Sequence, residues 1–177
     1  MKKLIFALTL TVAAAAQAAP ADEKTLLAIG RSEGTALAPL KLGAGEAGQA
    51  AKGLRDYLTI KDNFPKEADS AKAHELIAAR QEAAAGQAGA AQGSAAEWDA
   101  ALYAYGQETG MRLYNGGFSK DEAAVLARGF AEALRGAQVP DMAREGAGIR
   151  AFMAARAAAA AKEQEAFYQK MSQEPGA

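Results

Sequence analysis

The chain has 177 residues, a formal net charge of −1 and no cysteine, which rules out disulfides, thiolate metal sites and a lipidated cysteine anchor. Half of its residues are hydrophobic, but Ala supplies more than half of that share and buries little area per residue. β-branched residues are few and no run alternates polar with apolar, so an all-α fold is predicted; no basic stripe points to nucleic acid or to an anionic membrane surface.

The chain opens with a short basic start, Met1-Lys2-Lys3, an apolar run from Leu4 to Ala16, and Ala16-Gln17-Ala18 as a small-x-small site. This order describes a secretory signal peptide over 1–19, cleaved after Ala18 or Ala19. The apolar run is too short for a span of about 20 residues, and no second one follows, so no membrane insertion is expected after cleavage. Loss of Lys2 and Lys3 takes the net charge from −1 to about −3.

Beyond the leader the chain repeats itself. Residues 26–58 and 102–134 align without a gap at an offset of 76. Leu26, Ala28, Gly30, Gly34, Leu37, Glu46, Ala47, Gly53 and Leu58 match Leu102, Ala104, Gly106, Gly110, Leu113, Glu122, Ala123, Gly129 and Leu134. Leu42 and Leu54 become Phe118 and Phe130, and Ala78-Ala79-Arg80 returns as Ala154-Ala155-Arg156. Such self-similarity sets the architectural unit: a first helical repeat over 20–88 and a second over 89–177.

Three helices are predicted per repeat. In the first, helix one spans 22–38, with Leu26, Leu27, Gly30, Gly34 and Leu37 on one face and Pro39 ending it. Helix two spans 45–58 with Ala47, Ala50, Ala51, Leu54 and Leu58 on one side. Asn63-Phe64-Pro65 makes a turn, and helix three spans 66–85. The Gly-, Ala- and Gln-rich stretch 86–93 is the linker. In the second repeat, Ser94-Ala95-Ala96-Glu97 is a capping box that opens helix one, which stops at Asn115-Gly116-Gly117. Ser119-Lys120-Asp121-Glu122 is a second capping box, and helix two ends at Leu134 to Gly136. Val139-Pro140 precedes a long last helix over 141–171. Its distal half, with Phe167, Tyr168 and Met171, is a candidate partner-binding helix.

Few residues suggest chemistry. Gly43 to Gly48 spells G-x-G-x-x-G, but no strand precedes it, and the second copy has Ser119, Asp121 and Ala124 at the glycine positions, so a phosphate loop is not expected. His74 is the lone histidine and aligns with Arg150; no second His or Cys can join it on a metal. No serine has the support that nucleophilic catalysis requires. Trp98, Tyr103, Tyr105 and Tyr114 read as core or interface aromatics. Gly30 with Gly34 and Gly106 with Gly110 are G-x-x-x-G pairs. Each Gly costs about 1 kcal/mol against Ala inside a helix, so keeping them in both copies, with Gly53 and Gly129, implies a packing gain. The expected helix-packing or dimerisation surface is Leu27, Gly30, Gly34, Leu37, Gly53, Tyr103, Gly106, Gly110, Leu113, Gly129 and Phe130, with contacts left open between one repeat, two repeats and two chains. No catalytic, cofactor-binding or metal-binding residue is assigned.

Tyr103-Ala104-Tyr105-Gly106, Gly110, Leu113, Gly116-Gly117-Phe118, Ala123, Gly129-Phe130 and Leu134-Arg135-Gly136 resemble the N-terminal domain of bacterial FKBP-type peptidyl-prolyl isomerases of the macrophage-infectivity-potentiator type. Glu165-Ala166-Phe167-Tyr168 and the tail near Pro175-Gly176 are similar to that family's segment before its catalytic domain. The resemblance is closer over 94–177 than over 22–85, where Leu27, Ile29 and Ile60 replace two aromatics and a glycine. It implies a helical module that dimerises through its first two helices, here duplicated and packed as an intramolecular pseudo-dimer with a long C-terminal helix. The β-rich isomerase fold and its proline pocket have no counterpart in the sequence, so the expectation is a non-enzymatic, cofactor-free protein. It would be periplasmic or secreted and act in protein folding as a dimerisation, scaffold or client-holding domain. Protein clients or one protein partner are expected, with a homodimer as a further option. Two other readings stay open: a truncated or inactive isomerase, and an adaptor that binds one partner through its last helix.

Overall fold

The computed structural model describes residues 22–60, 62–86 and 93–173. The expected leader, the Pro175-Gly176 tail and all but the ends of the 86–93 linker lie outside them. Every regular element among the described residues is helical, with no strand: α1 (Glu23–Glu33), α2 (Ala44–Thr59), α3 (Glu67–Ala84), α4 (Ala95–Leu113), α5 (Lys120–Leu134) and α6 (Gly146–Gln173). Short 3₁₀ turns cover Ala38–Leu40 and Tyr114–Gly116. The shift of 76 carries one 3₁₀ turn onto the other and the start of α2 onto the start of α5. Each 3₁₀ turn is followed by a left-handed residue, Lys41 (φ 47°) and Gly117 (φ 57°). Glycine holds that conformation freely, whereas lysine there carries a steric cost of about 1–2 kcal/mol.

Both capping boxes form. The Ser94 and Ser119 hydroxyls accept from the Glu97 and Glu122 amides at 3.3 Å, and both glutamates accept the Ser amide in return at 2.8 Å. Asp22 caps α1 by accepting from the Thr25 amide at 2.9 Å. Two boundaries differ from expectation. Helix one of the first repeat ends at Glu33, not at 38, with Gly34 as its cap. The Ser32 hydroxyl donates to the Ile29 carbonyl and the Thr35 hydroxyl to the Ser32 carbonyl, local bonds that compete with helix propagation. Pro39 consequently sits inside the 3₁₀ turn. The last helix starts at Gly146, not at 141, because Asp141 organises a turn: its carboxylate accepts from the Ala143 amide, and its carbonyl from the Arg144 and Glu145 amides. At 28 residues α6 is about 42 Å long.

The two repeats share one core. Leu26, Ile29 and Leu37 join Leu54, Leu102, Leu113, Leu126, Phe130 and Leu134 in a single buried cluster. Helix one of each copy packs on helix two of the other, α1 on α5 and α4 on α2, while α2 and α5 pack on each other. The glycines lie at these crossings. A methyl group on Gly30 would fall inside 3.0 Å of the Leu126 carbonyl and Phe130 amide, and one on Gly106 inside 3.0 Å of the Ala50 carbonyl and Leu54 amide. Gly129 meets the Leu27 carbonyl as Gly53 meets that of Tyr103, and Gly34 meets Ala133 as Gly110 meets Tyr57. All three pairs obey the 76-residue shift. The glycine contacts left open by the sequence therefore run between the repeats.

Helix three breaks the equivalence. α3 lays Ala73 and Leu76 on Ala101 and Ala104 of α4 in a second, smaller buried cluster. Its counterpart α6 leaves Ile149, Phe152 and Met153 only half-buried at the edge of the main cluster. No helix among the described residues is long and apolar enough to cross a membrane.

The crossings predict opposite effects for two glycine-to-alanine changes. Gly106→Ala forces a methyl onto backbone atoms and should lower unfolding stability by about 3 kcal/mol. Gly48→Ala, in the same fold but with open space around it, should raise stability by about 0.5–1 kcal/mol. Urea unfolding of both variants reads this; equal effects would contradict the close backbone approach.

Candidate functional site

The residues expected to pack fall into three groups. Gly30, Gly34, Gly53, Gly106, Gly110 and Gly129 sit at the helix crossings, and Leu37, Leu113 and Phe130 are buried in the shared core. Leu27 and Tyr103 are only half-buried; each contributes its backbone carbonyl to a crossing, not a buried side chain. Phe167 and Tyr168 stand on the distal part of α6, 59% and 60% exposed, with their rings edge-on to each other. The Met171 side chain lies outside the described residues.

Polar clips that sequence reasoning had not singled out tie the helices together. In the first copy, Arg80 of α3 donates to Glu46 of α2 at 2.6 Å. The same carboxylate accepts from the Trp98 indole of α4 at 2.7 Å and from the Gly43 amide at 2.7 Å, and the guanidinium of Arg80 lies 4.7 Å over the Trp98 ring. Burial alone pushes the Glu46 carboxyl up, but the bonds from Arg80, Gly43 and Trp98 outweigh it and hold it below the usual carboxylate range. In the second copy, Arg156 of α6 makes a two-pronged contact with Glu122 of α5 at 2.8 and 3.0 Å and also donates to the Gly116 and Gly117 carbonyls at 2.7 Å. Both residues are buried. Signals for this pair were present: Glu46 and Glu122 match in the repeat, and the Ala-Ala-Arg triplet recurs.

A third clip is centred on Asp56 of α2. It accepts from Lys52 at 2.7 Å and from the Tyr103 hydroxyl at 3.2 Å, while Asn63 donates to that hydroxyl. Burial raises the Asp56 carboxyl, and the Lys52, Tyr103 and Arg55 contacts overcome it, leaving the group below its ordinary range. Gln107 donates to the Asn63 carbonyl, so α4 holds the α2–α3 connection from two points. Arg31 pairs with Glu132 at 2.6 Å and Arg112 with Glu33 at 3.2 Å, both between helices of different repeats.

These clips commit their polar atoms to structure. Among the described residues no buried side-chain nitrogen or oxygen lacks a partner, and no group of three His, Asp or Glu could hold a metal ion. His74 is exposed beside Glu108, Nε2 to Oε2 3.1 Å. Gly43, Gly45 and Gly48 lie exposed at the start of α2, with no strand before them. Tyr105 stacks on Phe130 at 6.2 Å between ring centroids, and burial pushes its hydroxyl up. Tyr114 and Phe64 are 62% and 63% exposed, and their rings lie edge-on to the buried Tyr57 ring at 6.0 and 5.9 Å between centroids. Large exposed aromatic side chains stand in two places among the described residues: Phe64 with Tyr114, and Phe167 with Tyr168 on distal α6. No family model, curated protein or solved structure matches the chain.

Two predictions follow from the clips. The folded-state carboxyls of Glu46 and Asp56 lie below their unfolded values, so their stabilisation is complete above the normal carboxylate range and fades as pH falls through the folded values. Glu46→Gln should cost about 1 kcal/mol at pH 7, and its deficit against wild type should shrink towards pH 3; thermal melts from pH 7 to 3 measure this. Arg156→Met removes the cation from a buried carboxylate and should cost about 3–5 kcal/mol, against about 1 kcal/mol for Arg80→Met at its more exposed site. Chemical denaturation of the two variants tests that order.

Proposed function

We propose that this chain is a non-catalytic helical module of the periplasm or secreted fraction, acting in protein folding as a scaffold or client-holding domain. The observation that carries this reading is the exchange of helices: helix one of each repeat docks on helix two of the other through paired glycines. In the FKBP-type family that the second repeat resembles, helices one and two dimerise the protein. The same exchange made within one chain is an intramolecular pseudo-dimer, and its surfaces are then occupied without a second molecule. The positions kept in both copies are packing and clipping positions, which favours a structural role over a chemical one. Exposed Phe64 and Tyr114, set edge-on against the buried Tyr57 ring, offer a client an apolar surface of the kind that proteins seldom leave open without use.

A second reading, an adaptor that binds one partner through α6, is favoured by the exposed Phe167 and Tyr168 on a helix that leaves the core behind. Periplasmic crosslinking separates the two: an adaptor captures one protein, a client-holding domain many.

On the first reading the purified mature chain should scatter light as a monomer and slow aggregation of an unfolding client. It should leave prolyl-peptide isomerisation at its background rate. Phe64→Ser with Tyr114→Ser should weaken the protection several-fold without changing the melting temperature by more than a few degrees. A stable dimer would overturn the internal exchange as the complete assembly. Isomerisation above background would overturn the non-catalytic assignment.

A further inference from the structure

The 76-residue shift brings two places in the fold into correspondence that are filled differently. In the first, the angle between the start of α2 and the middle of α3 holds the Trp98 side chain, delivered from the start of α4, against Glu46 and Arg80. The corresponding angle lies between the start of α5 and the middle of α6, with Glu122 and Arg156 at the equivalent positions and the start of α1 facing them. There the residue equivalent to Trp98 is Asp22, whose short carboxylate turns back to the Thr25 amide and hydroxyl at 2.9 and 2.8 Å. A cavity of about 610 Å³ opens at this place.

Its walls differ from those of the filled site in a consistent way. Leu42, at the corner of the first copy, is buried, and its amide is tied to the Leu134 carbonyl at 2.8 Å. The equivalent Phe118 is half-buried at the cavity, where its ring lies 4.9 Å from the Arg156 guanidinium. Phe118 therefore supplies the stacking on arginine that Trp98 supplies in the first copy, and the space that an indole would fill stays open. Leu26, Val125 and Ala160 complete an apolar wall, and the small side chain of Ala160 is what α6 offers across from Gly117. Glu23, Asp121 and Glu163 also line the cavity and are exposed, so its mouth is acidic, with Glu23 held by Arg128.

We infer that this cavity is a binding site for an aromatic side chain flanked by basic residues, presented by a partner polypeptide. The choice of an aromatic occupant follows the molecule's own tryptophan, which occupies the equivalent place in the first copy. A large planar ring laid on the apolar wall of this cavity is removed from water, and the acidic mouth favours neighbouring Lys or Arg. The inference rests on the repeat geometry and stands whether or not the chain holds clients.

The test uses the isotopically labelled mature chain and the peptide amides Lys-Trp-Lys, Glu-Trp-Glu and Lys-Leu-Lys, followed by amide chemical shifts. Lys-Trp-Lys should give saturable shifts over 117–125 and 156–163 and leave 43–46 unmoved, because Trp98 fills that site. The other two peptides should bind at least tenfold more weakly. Asp22→Trp, which restores the missing indole in the chain, should abolish the shifts. Ala160→Phe, which narrows the cavity without touching the α1 cap, should weaken binding at least tenfold, with circular dichroism showing both variants folded. Trp98→Ala should open the first site, so that 43–46 then respond to the peptide. No saturable shift at 117–125, equal binding of the three peptides, or unchanged binding by a folded Ala160→Phe would each overturn the inference.

Discussion

The fold depends on how closely α1 can approach α5 and α4 can approach α2. At these crossings backbone meets backbone: a single methyl on Gly30, Gly53, Gly106 or Gly129 would overlap the carbonyl opposite. Side-chain packing tolerates small slips because rotamers can adjust; a glycine-on-carbonyl crossing has no side chain with which to absorb one. Five of the six crossing glycines lie inside helices, and at about 1 kcal/mol each against alanine they amount to a cost comparable with the net stability of a typical domain. The packing they allow must offset it, and every one of those contacts runs between the repeats. Neither repeat can therefore keep its glycines satisfied alone, and the two act as one folding unit although they read as two in the sequence.

Once the crossings are fixed, the polar clips fall into place. Gly43 and Ser119 begin α2 and α5 at equivalent points, so Glu46 and Glu122 face the same way and meet arginines from the third helices. The copies then diverge because their third helices find different supports. α4 begins with a turn that carries Trp98, and it lines Ala101 and Ala104 against Ala73 and Leu76. On the other side α1 begins at Glu23, and α6 is held chiefly by Arg156, which reaches the carbonyls of Gly116 and Gly117. One third helix thus adds an apolar contact through Ala73 and Leu76 to its Arg80–Glu46 pair, while the other is pinned by a buried ion pair. The pinned one leaves room beside it, and its distal half continues beyond the core.

The sequence made the helical class, the repeat and the importance of the glycines legible for a physical reason. Conserved spacing within a chain reports which face of a helix is small, and a small face needs a close neighbour. Spacing cannot say which neighbour, so the cross-repeat pairing of α1 with α5 became visible only in three dimensions. Leu27 and Tyr103 illustrate the same limit: their periodicity is that of a buried face, yet at the crossings the fold uses their carbonyls, and the Tyr103 hydroxyl serves the Asp56 clip. The early end of α1 at Glu33 came from Ser32 and Thr35 bonding to nearby carbonyls, a competition that apolar periodicity does not register. The late start of α6 came from the Asp141 turn, where Pro140 had suggested an immediate helix start. The Glu–Arg clips were readable in principle, since both partners recur at the offset of 76. Charged residues on helices are usually solvated, and only their burial separates these from the rest.

The alanine-rich composition explains why so much rests on proximity. A core built from Ala and Gly removes little apolar area per residue from water, so it must recover stability from many short contacts between closely spaced backbones. That strategy uses its large side chains sparingly: Phe130, Leu54, Leu102 and Leu126 fill the centre, and the core does not need every aromatic the chain carries. Tyr114, Phe64, Phe167 and Tyr168 remain exposed, and Trp98 bridges the repeats at the edge of the core. Exposing aromatic area carries a cost in water that the crossings do not require. It is concentrated in two places: Phe64 and Tyr114 cover the Tyr57 ring that seats Gly110 at its crossing, and Phe167 with Tyr168 stands on distal α6, outside the glycine crossings.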